Sequence, residues 1–71
     1  MKKLSATETL NYLIELLIYC LDNLQEEDNI GDGGFVLGER TAYIECLEIV
    51  QFWECARKNG LDFDIEAKYP I

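Results

Sequence analysis

Histidine is absent from this 71-residue chain, and proline and tryptophan occur once each. Without an imidazole, a serine or cysteine lacks its usual general base, which excludes the common forms of nucleophilic catalysis. Di-iron helical bundles, which also need histidine, are excluded with them. Basic residues are scarce: 6 Lys and Arg stand against 14 Asp and Glu, for a net charge of −8. Phosphate contact rests on Lys and Arg, so neither direct nucleic-acid binding nor attraction to anionic membranes is expected. The charge serves solubility instead.

Long apolar runs are missing as well. No stretch reaches the ~18 residues of a membrane-spanning helix. Glu15 interrupts the richest run, residues 13–21, and Asn11 precedes it. Lys2 and Lys3 are followed by Ser5, Thr7, Glu8, Thr9 and Asn11, where a signal peptide would carry its hydrophobic segment. The expectation is a cytoplasmic protein. Cys20, Cys46 and Cys55 are odd in number and form no CxxC pair. They read as small buried hydrophobes, not as a disulfide framework or a zinc site. Residues 31–38 are glycine-rich but hold no lysine, so no phosphate-binding loop of the GxxxxGK[ST] kind is present.

What the chain does have is helical periodicity in two blocks. Ser5, Ala6, Thr7 and Glu8 form a capping box, which starts a helix over residues 6–27. Its polar strip of Glu8, Asn11, Glu15, Asp22 and Glu26 spans roughly 60°, with Tyr12 and Tyr19 at the wet edge. The apolar residues between 10 and 24 spread over roughly 200°, whereas a surface helix needs little more than ~100°. That excess must be buried against something, and a chain this short offers few candidates.

Residues 28–38 (DNIGDGGFVLG) hold four of the five glycines and read as a loop, with residues 35–37 extended and plugging the open end of a hairpin. A second helix is expected over residues 39–59, with Gly38 as N-cap and Glu39 at its positive end. Arg57 and Lys58 suit the negative end, and Asn59-Gly60-Leu61 is a stop signal with Gly60 left-handed. Ala42, Cys46, Ile49, Trp53 and Ala56 follow the 4-3-4-3 spacing of a close-packed helix seam. Tyr43, Leu47 and Val50 make a second stripe beside it, while Ile44, Phe52 and Cys55 fall outside both. In the tail, residues 60–71, Leu61, Phe63 and Ile65 alternate with Asp62, Asp64 and Glu66. Alternation suggests an extended segment; a short helix over 65–69, ending before Pro70, is the alternative.

Residues 28–39 resemble the twelve-residue calcium loop of the EF-hand family. Asp28 stands in first place, Asp32 in fifth, Gly33 in sixth, Phe35 in eighth and Glu39 in last. The resemblance implies calcium held by Asp28, Asp32, the Gly34 carbonyl and Glu39. Ile30 and Val36 replace oxygen ligands, however, Gly38 stands where the exiting helix should run, and there is one such loop where the family works in pairs. An ordinary helix connection is the favoured reading, with no metal or other cofactor assigned. Glu45 and Glu48, with Glu15, Asp22 or Glu26, could make an all-carboxylate magnesium site like that of helical nucleotide pyrophosphohydrolases. The further downstream acidic pair of those enzymes is missing. Residues 38–54 (GERTAYIECLEIVQFWE) resemble a helix of short uncharacterised bacterial or phage-type helical proteins, which implies no activity.

The expected fold is all-α: an antiparallel helical hairpin with an ordered loop and a packed tail, forming one domain. Two copies would bury the shared apolar excess as a four-helix bundle. Leu16, Ile18 and Cys20 would meet Ala42, Cys46, Ile49, Trp53 and Ala56 at the interface. The expected function is a non-enzymatic interaction or regulatory module acting as a homodimer, with a possible further protein partner. The alternatives are a degenerate EF-hand-like calcium-binding protein and an acidic mimic of nucleic acid that inhibits a basic protein.

Overall fold

The structure, a computed structural model, describes residues 3–27 and 34–70. Helix α1 (Ala6–Glu27) and helix α2 (Gly34–Val50) pack against each other, followed by a 3-10 turn (Arg57–Asn59) and a short helix α3 (Ile65–Lys68). No strand occurs among the described residues. No described helix is long and apolar enough to cross a membrane.

The capping box starts α1 as the sequence indicates. Ser5 N–H donates to Glu8 Oε1 at 3.0 Å, and Glu8 N–H donates to Ser5 Oγ at 3.1 Å. From there Ile14, Leu17, Leu21 and Leu24 form a buried 3-4-3 stripe, the first three packing in one core with α2 and the tail. Of the remaining apolar arc, Leu13 and Leu16 are exposed, while Leu10, Ile18 and Cys20 are half-buried.

The second helix corrects the sequence reading at both ends. It begins at Gly34, so residues 35–37 form its first turns instead of an extended plug. Only Val36 of these three is buried; Phe35 and Leu37 face outward. Gly38 lies inside the helix and is not its N-cap. At the other end α2 stops at Val50, nine residues early. Gln51 N–H still reaches Leu47 O at 2.9 Å, but Phe52 and Trp53 donate to Ile49 and Val50, three residues back. That switch tightens the backbone from α to 3-10 geometry, and it turns Ala56 into the core. Neither glycine nor proline occurs between 51 and 59, so no local breaker announces the change; tertiary packing imposes it.

The stop at Gly60 is as expected. Gly60 has φ 110°, and Leu61 N–H donates to Ala56 O at 3.0 Å, the six-to-one bond of a Schellman closure. Leu61 then enters the core. The tail is not extended beyond that point. Asp64 caps α3 by accepting from the Glu66 and Ala67 amides at 3.1 and 3.2 Å, so the short-helix alternative is the one realised.

Gln51 fastens this tail to the end of α2. Its Nε2 donates to Leu61 O at 3.1 Å and to Phe63 O at 2.9 Å. Replacing the amide by a carboxylate of the same shape puts negative charge against two carbonyl oxygens. Gln51→Glu is therefore expected to lower unfolding stability at neutral pH by about 1–3 kcal/mol, and by more than Gln51→Ala does. Urea denaturation of both variants checks this; equal losses would contradict the clamp.

Candidate interaction surface

The acidic side chains do not assemble a metal centre among the described residues. Asp22 accepts a hydrogen bond from the Tyr69 hydroxyl at 2.9 Å. Glu48 meets Glu66 of α3 instead of an α1 carboxylate. Glu66 beside it, followed by burial and the charge of Glu45 and Asp64, raises Glu48 above the ordinary carboxylate range. Of the calcium-loop residues, Asp28 and Asp32 lie outside the described residues. Gly34 opens α2, and a carbonyl in that position points along the helix axis toward the amide four residues on. It is not a loop carbonyl turned toward an ion. Glu39 lies in the second turn of α2, half-buried.

A cleft of about 410 Å³ lies between the end of α2 and the tail, lined by Gln51, Arg57, Leu61, Asp62, Phe63 and Asp64. Its central polar groups are committed: Gln51 to the tail carbonyls and Asp64 to the α3 amides. It is the seam by which the tail is held.

The tail contacts fall on one side of the helical pair. Tyr69 reaches Asp22 on α1 and Glu66 reaches Glu48 on α2. At 100° per residue, Asp22 lies about 120° to one side of the α1 buried stripe, and Cys20 lies about 80° to the other. Cys20 stands near enough to Tyr43 of α2 to perturb its hydroxyl. The Cys20–Tyr43 pair therefore marks the opposite face of the hairpin. On that face Leu13, Leu16, Phe35, Ala42, Cys46 and Ile49 are exposed. Among the α1 residues whose side chains are described, the charged ones, Glu8, Glu15 and Asp22, lie on its other side. On α2, half-buried Glu39 lies within it between Tyr43 and Cys46, and Glu45 borders it.

The eight residues expected at an interface do not form one surface. Leu16, 46% exposed, lies on this bare face with half-buried Cys20, Ala42, Cys46 and Ile49. Ile18 lies on the tail side of α1, half-buried against the chain's own core. Trp53 and Ala56 leave the seam because α2 has already ended. Trp53 packs against the core, and Ala56 is fully buried within the chain. The buried stripe of α2 is instead Val36, Arg40, Ile44, Leu47 and Val50. Ile44, which the 4-3-4-3 seam leaves aside, is one of its most buried members.

All three cysteines are free thiols, Cys46 exposed and Cys20 and Cys55 half-buried. The Tyr43 hydroxyl is pushed above its ordinary range, chiefly by Cys20 beside it, then by burial and by Glu39. Two buried polar groups escaped the sequence reading. Arg40 is 7% exposed and the one charged residue in the described core. Its position four residues from both Val36 and Ile44 is the available signal. Tyr69 is 1% exposed, and its bond to Asp22 spans 47 residues, a separation at which no local pattern could reveal it.

Compared with family models, curated proteins and solved structures, the chain matches none.

The Tyr69 hydroxyl is pushed up to about 12, first by burial and then by its bond to Asp22. A tyrosine in the unfolded chain titrates near ~10, so the fold favours the neutral phenol. This stabilisation is complete below pH ~10 and is lost as pH rises through the folded value. Wild type should therefore lose stability relative to Tyr69→Phe as alkali is added through that window. Parallel pH profiles of the two proteins in urea denaturation would contradict the assignment.

Proposed function

We propose that the protein is a non-enzymatic interaction module that works as a cytoplasmic homodimer, two hairpins meeting as a four-helix bundle through the face the tail leaves bare. The observation that carries this reading is the row of exposed apolar side chains, Leu13, Leu16, Phe35, Ala42, Cys46 and Ile49, opposite the docked tail. Contiguous exposed apolar surface of this kind marks an association site.

Charge favours a second copy as its occupant. Two chains of net charge −8 repel each other, and they approach at least cost where the exposed side chains are apolar, as Leu13, Leu16, Phe35 and Ile49 are. The side chains also suit close helix packing. Small Ala42 and Cys46 leave room for the larger Leu16, Phe35 and Ile49 of a facing copy, as knobs enter holes. A two-fold contact makes each residue serve as both donor and recipient of surface. Helices of 22 and 17 residues are ~33 and ~26 Å long.

A dimer built this way leaves the polar side of α1 outward, and partner capture would use it. Sedimentation equilibrium is expected to give twice the chain mass. Leu16→Glu and Ala42→Glu are expected to give the monomer mass with unchanged far-UV circular dichroism, because both positions are exposed in the single chain. A monomeric wild type at hundreds of micromolar, or variants that still dimerise like wild type, would overturn the proposal.

A further inference from the structure

The outward side of α1 carries a pattern of its own. Glu8, Tyr12, Glu15, Tyr19 and Asp22 recur at 4-3-4-3 spacing, carboxylate alternating with tyrosine, and Glu26 continues the spacing in sequence. The five described side chains are all exposed; Tyr12 and Tyr19 are 64% and 66% exposed. Tyr12, Glu15, Leu16 and Tyr19 line a shallow groove of about 330 Å³. Both ends of the stripe are held in place. The Ser5 amide and hydroxyl keep Glu8 below the ordinary carboxylate range, so it stays ionised, and Asp22 is fixed by the Tyr69 hydroxyl.

We propose that this stripe is a docking seam for a basic amphipathic helix of a partner protein. The inference rests on the chain being an interaction module, and not on its being a dimer. A 4-3 spacing is the register in which one helix reads another along its length. Alternating carboxylates and aromatic rings suit Arg or Lys on the facing helix. The cation sits over the Tyr12 or Tyr19 ring, where the π-face attracts it, and within reach of Glu15. A second copy of this chain is a poor occupant, because pairing two such stripes sets carboxylates of like charge along the same seam. Fixing Glu8 and Asp22 before binding reduces the ordering cost of association.

The test is calorimetric titration of the intact protein with a three-heptad synthetic helix carrying Arg and Leu on one face and Ala and Gln elsewhere. A scrambled peptide of the same composition is the control. The patterned helix is expected to bind at least about tenfold more tightly than the scrambled one, with affinity that falls as salt rises. Tyr12→Ala with Tyr19→Ala should weaken binding about tenfold, and Glu15→Gln should weaken it and flatten the salt dependence. Both tyrosines are exposed, so the variants should keep the wild-type helical spectrum.

Equal binding of the two peptides, or tyrosine variants that bind like wild type, would overturn the proposal. So would a tyrosine variant that dissociates a wild-type dimer, since the stripe would then belong to self-association. A wild-type monomer that still prefers the patterned helix supports the docking seam while removing the dimer reading, so the two can fail separately.

Discussion

Two helices packed side by side can bury one stripe each, and α1 and α2 both carry more apolar surface than that. The structure follows from where the excess goes. Part is covered by the chain itself: Leu61, Ile65 and Tyr69 join Ile14, Leu17, Leu21, Ile44, Leu47 and Val50 in a single core. Of the remainder, Leu13, Leu16, Phe35 and Ile49 stay at the surface on the other side of the hairpin, and Leu37 stays exposed on the tail side. A short tail can cover one face of a helical pair, and its choice of face decides which surface is available for association.

The tail reaches its face through a few directional contacts. Burying Tyr69 contributes ring area, and its hydroxyl keeps a carboxylate partner in Asp22, so the polar end of the ring is not left without a bond. The Gln51 amide satisfies two tail carbonyls as the chain leaves the 3-10 segment. Lys68 adds a cation 4.8 Å from the centroid of the Phe63 ring. The Glu48–Glu66 contact works against these, because two carboxyl groups share a site between α2 and α3. Docking of the tail is therefore a balance of apolar burial against acidic repulsion, as expected of a chain with this excess of Asp and Glu.

What could be read from the sequence is what neighbouring residues decide. The Ser5–Glu8 capping box and the Asn59-Gly60-Leu61 stop close hydrogen bonds within a few residues, and both form. The ends of α2 were not legible. Gly33, Gly34 and Gly38 suggest a loop, yet helical backbone begins at Gly34. Ile49 to Trp53 continue an apolar helical pattern, yet core packing of Ala56 and Leu61 turns the backbone there. With α2 cut short, Trp53 and Ala56 leave the seam that also held Ala42, Cys46 and Ile49. A helix apolar on several sides offers more than one plausible stripe. The buried one passes through Arg40, which hydrophobic spacing alone discounts.

If two copies meet through the bare face of the hairpin and not through the tail side, that face loses solvent access as the protein is concentrated. Thiol labelling tests it directly, because Cys46 lies on that face and Cys55 lies beyond the end of α2. Alkylation rates at both cysteines, followed by mass spectrometry as protein concentration rises, should show Cys46 becoming protected while Cys55 stays unchanged. A Cys46 rate that is the same at every concentration, or protection that falls on Cys55 instead, would contradict the account.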